Sequence, residues 1–286
     1  MDNDDISNIN NQINEEVSEE SDFDKKVKEV RKLIKKIGEK RNSTVLVFFC
    51  IGSIDSYKAY EMLNIIRNEH NLEDLDLILE SGGGQIDAAA KIAHLCKDFS
   101  KKFSVFVPYY AKSAATLIAL NADELILCKA GELGPIDPQV KHPVLDIYLP
   151  ASSIKNALTF IESSNDAYIK MIMADKLDPL LIGAYNQAIE EAKKYLEEIP
   201  KIKNAKNKND IINTFTKKYI DHGYPITHKI CEDLNLCTSN ILDKEIENVL
   251  YDIHQILLKL MLSTDIDIII LTKTQLYCSK LDKEEP

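Results

Sequence analysis

The feature that most constrains the fold of this chain is a regular alternation of short apolar runs and helix-like segments. Each run is rich in β-branched and aromatic residues, the pattern of a strand buried on both faces of a sheet. Parallel neighbouring strands cannot be joined by a tight hairpin, so the alternation predicts a mainly parallel sheet with crossover helices. The predicted strands are 44–51, 75–79, 103–107 and 125–128, and the predicted helices between them are 56–68, 85–99 and 113–121.

The segments on either side of this alternation differ from it in character. Residues 1–24 are polar and acidic, which predicts a flexible tail. Residues 25–150 contain the predicted α/β core, and residues 151–286 are mainly helical, so we expect them to complete the fold and to supply surfaces for assembly. An amphipathic helix that ends at Gly38 is predicted at 23–37. Near the end of the chain, Ile266–Leu271 predicts one more strand, at an edge of the sheet or in an assembly contact.

The charge balance excludes one broad class of function. The chain carries 46 acidic against 35 basic residues, a formal net charge of -11, whereas a general nucleic-acid binder needs clustered positive charge to displace counterions. No window has the roughly 20 apolar residues of a membrane-spanning helix, and the leader has no apolar stretch typical of a secretory signal. We therefore expect a cytoplasmic protein that binds no nucleic acid and has no transmembrane segment. A cytoplasmic location is compatible with peripheral contact with a membrane.

The cysteines and histidines indicate neither a metal site nor a disulfide framework. The six cysteines are scattered without a CxxC pair, and the histidines show no HExxH spacing. We expect reduced, mostly buried thiols, no metal and no cofactor.

A run of three glycines, Gly82, Gly83 and Gly84, follows the second predicted strand and precedes a helix. Glycine allows positive φ and lets another chain approach the backbone closely, and N–H groups at a helix start favour negative charge. The run could therefore hold the oxyanion of a tetrahedral intermediate. An ordinary glycine turn is the alternative, and the spacing fits neither a dinucleotide fingerprint nor a phosphate loop.

A serine among small residues, Ser113 in the segment AKSAAT, stands where the third predicted strand leads into a helix. A nucleophile in that position is exposed while helix N–H dipoles face the reacting atom, and small neighbours leave room for a peptide. The alternative is that Ser113 only caps the helix, since serine is a favoured capping residue. Ligand sites of open α/β sheets lie beyond the carboxyl ends of the strands, so Ser113 and the glycine run are expected at the same rim.

Together the two motifs resemble the serine dehydrogenase proteinase family, a branch of the superfamily of the Clp protease proteolytic subunit and signal peptide peptidase A. The resemblance lies between Thr44 and Gln139, in VLVFFCIGSID, ESGGGQIDAA, AKSAATLIALNADELIL and ELGPIDPQ, with a looser match in HGYPITHKICEDLNL. It implies a Clp/crotonase-type α/β fold and hydrolysis of peptide bonds through an acyl-enzyme. It also implies that Ser113 is the nucleophile and that the N–H groups of Gly83 and Ala114 are the oxyanion donors, within a substrate-binding loop that includes Gly82 and Gly84.

The general base is the part of the site that the motifs leave open. Asp137 stands where the Clp subunit carries its catalytic histidine, so it either orients a base or shapes its turn. The resemblance to signal peptide peptidase A implies a lysine, and Lys155 has a suitable separation from Ser113. His142 and His222 are alternatives because imidazole titrates near neutrality, although His222 beside a glycine also fits a helix end.

The predicted function is that of a serine endopeptidase with a Ser/Lys-type dyad that acts on a peptide or an unfolded protein. The superfamily assembles into rings or stacked oligomers, so the resemblance also implies a homo-oligomer. Two alternatives stay open. An inactive Clp-like scaffold or adaptor is favoured by the missing histidine, and a crotonase-type enzyme acting on acyl-coenzyme A would need an adenine-nucleotide pocket, for which no sequence signal is found.

Overall fold

The computed structural model describes residues 21–69, 72–141, 147–219, 221–237 and 243–280. The helices are α1 (Asp22–Arg41), α2 (Ser56–Asn68), α3 (Ile86–Asp98), α4 (Ala114–Asn121), α5 (Ala151–Ser163), α6 (Ala167–Ala174), α7 (Pro179–Glu198), α8 (Pro200–Lys203), α9 (Lys208–Thr216), α10 (His228–Asp233) and α11 (Lys244–Thr264). The strands are β1 (Thr44–Cys50), β2 (Asp74–Ser81), β3 (Lys102–Val107), β4 (Tyr110–Ala111), β5 (Glu124–Leu127), β6 (Glu132–Leu133), β7 (Gln139–Lys141), β8 (Tyr148–Pro150), β9 (Ile226–Thr227), β10 (Ile266–Leu271) and β11 (Leu276–Lys280). Within these ranges, no helix has both the length and the apolar character needed to cross a membrane.

Nine of the described strands form one mixed sheet, in the order β11-β10-β1-β2-β4-β6-β9, with β3 paired to β2 and to β5. The pairs among β1 to β6 are parallel, whereas β9, β10 and β11 pair in the antiparallel sense. Helices α2 and α3 connect β1 to β2 and β2 to β3. The predicted fold class is therefore confirmed: a Clp/crotonase-like parallel sheet with crossover helices, followed by a mainly helical region.

The sheet separates two apolar cores, which is why its central strands are apolar throughout. Successive side chains of a strand point to opposite faces. Accordingly Phe48 belongs to the core on the side of α2, α3 and α4, and its neighbour Phe49 belongs to the core on the side of α1 and α11. Because helices cover both faces, every position of β1 after Thr44 is buried.

The C-terminal part of the chain completes this sheet as well as adding helices. The strand predicted at Ile266–Leu271 exists, but the expectation of an edge strand is wrong. β10 pairs with β1 on one side and with β11 on the other, and all its residues are buried. A strand with apolar residues on both faces is stable in the interior of a covered sheet, and β11, in which no residue is buried, forms the edge.

The first helix is longer than its apolar pattern predicts. Gly38 does not end α1; the helix continues to Arg41 and ends at Asn42, whose left-handed backbone (φ 54°) donates its N–H to the Gly38 carbonyl. Arg41 is held by Asp76 at 2.6 Å and by Glu124 at 3.2 Å. This ion cluster fixes the last turn of the helix on β2 and β5. The division into 1–24, 25–150 and 151–286 stays a prediction, since residues 1–20 lie outside the described ranges.

Candidate active site

The glycine run forms an extended segment beyond the carboxyl end of β2. Gly83 and Gly84 have positive φ, 109° and 150°. The Ile54 N–H donates to the Gly83 carbonyl and the Gln85 N–H donates to the Ile54 carbonyl, both at 2.8 Å, as in a parallel bridge. Backbone groups of an extended chain alternate in direction, so the N–H of Gly84 points away from Ile54, toward the side on which β4 and Ser113 lie.

Ser113 has a strained backbone at the start of α4. Its φ is 51° and its ψ is -123°, and its side chain makes no capping hydrogen bond to the helix. The capping alternative therefore has no support in the described structure. Non-glycine residues in such conformations cost energy and cluster at functional sites, and a nucleophilic serine on a strand-to-helix turn is the best-known case. The side chain is half-buried, so solvent reaches it.

The two motifs lie next to each other, as expected for two loops at the same rim of the sheet. A Cβ atom added to Gly83 would lie 2.8 Å from Ser113 Cβ and 3.0 Å from the Ala114 nitrogen. Only a glycine allows the two loops to approach so closely. Ser113, Ala114 and the three glycines all line one cleft of about 630 Å³, whose remaining walls are Gly52, Ser53, Gln85, Ile86, Ile136, Pro138, Gln139, Ala188, Glu191 and His222.

Alanine at Gly84 is expected to destabilise the protein by about 3 kcal/mol or more, because it combines backbone strain with overpacking. The added methyl group would lie 2.2 Å from the Ile54 carbonyl oxygen and 2.3 Å from its nitrogen. Gly82→Ala is the matched control, since no atom lies within 4 Å of the added group. Urea denaturation of the three proteins measures the difference, and equal midpoints for the two variants would contradict the described turn.

The backbone donors near Ser113 are not equivalent. The Gly83 N–H already donates to the buried Ser81 hydroxyl at 3.1 Å. The Gly84 N–H points toward the Ser113 side, as derived above, and the Ala114 N–H belongs to the first turn of α4, where N–H groups have no partner within the helix. Gly84 and Ala114 therefore offer the N–H groups best placed to receive a negative oxygen.

His222 lies in the same cleft as Ser113. It belongs to the turn between α9 and β9, and its Nδ1 is buried without a hydrogen-bond partner in the described structure. The turn is held from two sides: the Gly223 N–H donates to Asp221 Oδ1 at 2.9 Å, and the rings of Tyr219 and Tyr224 stack with centroids 3.7 Å apart. A half-buried imidazole is thus held in the wall of the cleft that Ser113 also lines.

Lys112 connects the nucleophile segment to that turn. Its ammonium lies 2.5 Å from Glu132 Oε1 and donates to the carbonyls of Leu133 at 3.2 Å and Gly223 at 3.3 Å. Its three acceptors belong to different segments of the chain. Lys112 therefore joins the Ser113 segment, β6 and the His222 turn.

Of the other predicted site residues, the structure describes the side chain of Asp137. Asp137 is buried, between the cleft residues Ile136 and Pro138, in a loop that Thr116 Oγ1 anchors by donating to the Gly134 carbonyl at 2.9 Å. Lys155 is on α5, but its side chain is outside what the structure describes. His142 lies outside the described residues.

Behind the glycine turn, on the other side of the sheet, Glu80 is buried against His254. Its Oε2 is 3.4 Å from His254 Nδ1 and accepts the Tyr110 N–H at 3.4 Å. Burial raises the pKa of the Glu80 carboxyl, and the contact with His254 opposes that change. Neither side chain lines the cleft, so this pair supports the turn from behind.

The sequence motifs do not predict that α7 forms part of the cleft wall. Ala188 and Glu191 reach the cleft from a helix far along the chain, and helical periodicity alone does not show which face of a helix meets a distant loop. For His222 the only signal is the segment HGYPITHKICEDLNL, in which the histidine is one of several candidate bases.

Comparisons with known proteins show which family the chain is similar to. The sequence model of a family described as ClpP-like SDH-type serine proteinase matches residues 17–263. Two uncharacterized proteins of Methanocaldococcus jannaschii are similar: MJ0137 is 30% identical over 231 residues, 75% of each chain, and MJ1495 is 29% identical over 191 residues, 66% of this chain and 60% of that protein.

Two solved structures are also similar to the chain. A mutant of the 1510-N membrane-bound stomatin-specific protease, in complex with a substrate peptide, has 15% identity over 68% of this chain and 74% of its own, with a TM-score of 0.43. ClpP1 from Listeria monocytogenes has 13% identity over 74% of this chain and 98% of its own, with a TM-score of 0.45.

Proposed function

We propose that this chain, which belongs to the family of ClpP-like SDH-type serine proteinases, hydrolyses peptide bonds through an acyl-enzyme on Ser113. The observation that carries the proposal is the strained backbone of Ser113, which holds its half-buried side chain against Gly83 in an open cleft. A serine that served only as a helix cap would have no need of this conformation.

The proposed reaction follows from the groups around the serine. His222 takes the proton of the Ser113 hydroxyl as its oxygen attacks the carbonyl carbon of the peptide bond. The N–H groups of Gly84 and Ala114 stabilise the oxyanion that develops, in place of the Gly83 N–H that the family resemblance suggested, because Ser81 already engages that group. The protonated imidazole then gives its proton to the leaving amine, and water hydrolyses the acyl-enzyme by the same route.

His222 is favoured as the base because it lines the cleft and its buried Nδ1 has no hydrogen-bond partner among the described residues. In this proposal Asp137 orients a base from the loop beside the cleft. The Ser/Lys dyad with Lys155 is the second candidate, and one contact favours it. The first residue of α5, Ala151, donates its N–H to the Pro138 carbonyl at 2.8 Å, which ties the helix that bears Lys155 to the cleft wall. His142 remains a third candidate from the sequence alone.

The proposed substrate is a peptide or an unfolded protein in an extended conformation. Nothing lies within 4 Å of a group added at Gly82, so the backbone of the glycine segment is open on the cleft side to a strand-like partner. We further propose that the protein acts in the cytoplasm without a cofactor, that it binds no nucleic acid, and that peripheral contact with a membrane is compatible with its function.

Incubation with a mixture of unstructured peptides, followed by mass spectrometry of the products, tests the peptidase proposal. The expected result is a set of new peptide termini that is absent with Ser113→Ala protein. Parallel incubation with acyl-coenzyme A thioesters tests the crotonase-type alternative. Thioester cleavage without peptide cleavage would favour that alternative, and intact substrates in both mixtures would favour the scaffold.

We propose a homo-oligomer whose contacts include α6. None of the residues of this helix is buried, and large apolar side chains of α6 are exposed, among them Tyr168 (67%), Met171 (63%) and Ile172 (43%). A contiguous exposed apolar surface of this kind marks an interaction site. A second copy of the chain is the proposed partner because the family resemblance implies self-assembly.

Replacing Tyr168 and Met171 together with lysine is expected to convert the assembly to a smaller species, because charges are excluded from an apolar contact. Size-exclusion chromatography with light scattering measures the mass. Tyr60→Lys is the matched control, since Tyr60 is equally an exposed aromatic residue (53%) but lies on α2. An unchanged mass for the double variant would show that α6 is not the contact.

A further inference from the structure

The end of α10 brings two cysteines together. The Leu236 N–H donates to the Cys231 carbonyl at 2.9 Å and the Asn235 N–H donates to the Glu232 carbonyl at 2.8 Å, while Asn235 has a φ of 58°. This is a Schellman motif, which reverses the chain at the end of a helix. The reversal returns Cys237 to the first turn of α10, where its Sγ–H donates to the His228 carbonyl at 3.7 Å.

The two thiols differ in their contact with solvent. Cys231 is fully buried, whereas Cys237 is half-buried and in contact with solvent. Hydrogen bonding from Cys231 lowers the pKa of Cys237, and the same contact together with burial raises the pKa of Cys231. The nearby Lys201 ammonium also favours the Cys237 thiolate. The accessible sulfur is therefore the better nucleophile, and the buried sulfur belongs to the short helix α10, to whose first turn Cys237 returns.

The other cysteines do not share these properties. Cys50, Cys96 and Cys128 are buried, and desolvation raises the pKa of each thiol, to about 12 for Cys50 and Cys128. Cys278 is exposed, but partial desolvation of its thiol still raises its pKa. Buried or protonated thiols of this kind react slowly, so the structure singles out one pair among six free thiols.

We propose that Cys231 and Cys237 are a peroxide-responsive dithiol that closes to an intramolecular disulfide. The Cys237 thiolate attacks one oxygen of hydrogen peroxide and breaks the O–O bond, which gives a sulfenic acid and, after protonation, water. The Cys231 sulfur then attacks the Cys237 sulfur, its proton leaves with the sulfenic hydroxyl as a second water, and the S–S bond forms. Both sulfurs are oxidised and the peroxide is reduced, so two thiols and one peroxide give one disulfide and two waters.

The test is titration of the protein with hydrogen peroxide, followed by thiol counting in denaturant and peptide mapping without reduction. The number of free thiols is expected to fall by two from six, with a cross-linked peptide that contains Cys231 and Cys237. Dithiothreitol is expected to restore all six. Cys278→Ser protein serves as the matched control, since it removes the one exposed thiol and is expected to leave the loss of two thiols unchanged.

Cys237→Ser protein, which leaves the buried sulfur in place, is expected to lose no thiol pair at the same peroxide dose. Two results would overturn the proposal. One is a cross-link that involves any other cysteine in preference to this pair. The other is stable oxidation of Cys237 to the sulfinic acid while Cys231 remains a free thiol.

Discussion

Replacement of Ser113 by alanine is expected to reduce peptide hydrolysis by about 10³-fold or more while leaving the fold intact. The loss is large because the hydroxyl is the atom that forms the acyl-enzyme, and only the oxyanion donors and substrate binding would remain. The fold should survive because the side chain makes no capping hydrogen bond to α4, and alanine at φ 51° is strained no more than serine is. The value of kcat/KM for a fluorogenic peptide measures the loss.

Thermal unfolding of the Ser113→Ala protein tests whether the variant is folded. Ser263→Ala protein is the control variant. Ser263 is an exposed serine on α11, outside the cleft, and its variant is expected to keep full activity. Parental activity in a folded Ser113→Ala protein would remove the serine from the mechanism. A variant that fails to fold would instead assign Ser113 a structural role.

Substitution of the base is expected to have the second largest effect. We expect His222→Gln to lower kcat by about 10²- to 10⁴-fold, the usual contribution of a general base, because glutamine keeps a similar shape but cannot take the serine proton. Lys155→Met is the matched comparison and is expected to change kcat by no more than a few-fold. Both variants are measured with the same peptide and over the same pH range, since imidazole and ammonium groups titrate in different ranges.

The two variants separate the two candidate dyads directly. A large loss in Lys155→Met with near-parental His222→Gln would establish the Ser/Lys arrangement in place of the one proposed. Comparable losses in both would mean that neither residue acts alone, and Asp137→Asn would then be the next variant. The rate at which an acylating inhibitor modifies Ser113 is an independent measurement. A protein that lacks its base is expected to be acylated slowly.

The sequence predicts the sheet and the meeting of its two loops because both depend on local patterns. Continuous apolar runs identify strands that are covered on both faces, and the carboxyl ends of parallel strands share a rim, so Ser113 and Gly83 were expected to be neighbours. Their proximity can be predicted from the strand topology alone, without knowing how the side chains pack. The family resemblance adds the chemistry to a site whose position already follows from the topology.

The parts that could not be predicted depend on contacts between distant segments. His222 reaches the cleft because β9, a strand of two residues, pairs with β6, and so short a strand has no recognisable pattern. The choice between Gly83 and Gly84 as oxyanion donor depends on a hydrogen bond from the Gly83 N–H to one rotamer of Ser81. The interior position of β10 depends on β11, whose partly polar sequence did not predict a strand.

The proposed peptidase activity requires an activated Ser113 hydroxyl that faces backbone N–H groups. Mass spectrometry of the protein after incubation with a fluorophosphonate tests for this arrangement, since the probe needs both an activated serine and an oxyanion site. We predict a single phosphonate adduct on the peptide that contains AKSAAT, absent from Ser113→Ala protein. A folded protein that carries no adduct, or an adduct on a serine other than Ser113, would show that Ser113 is not the nucleophile.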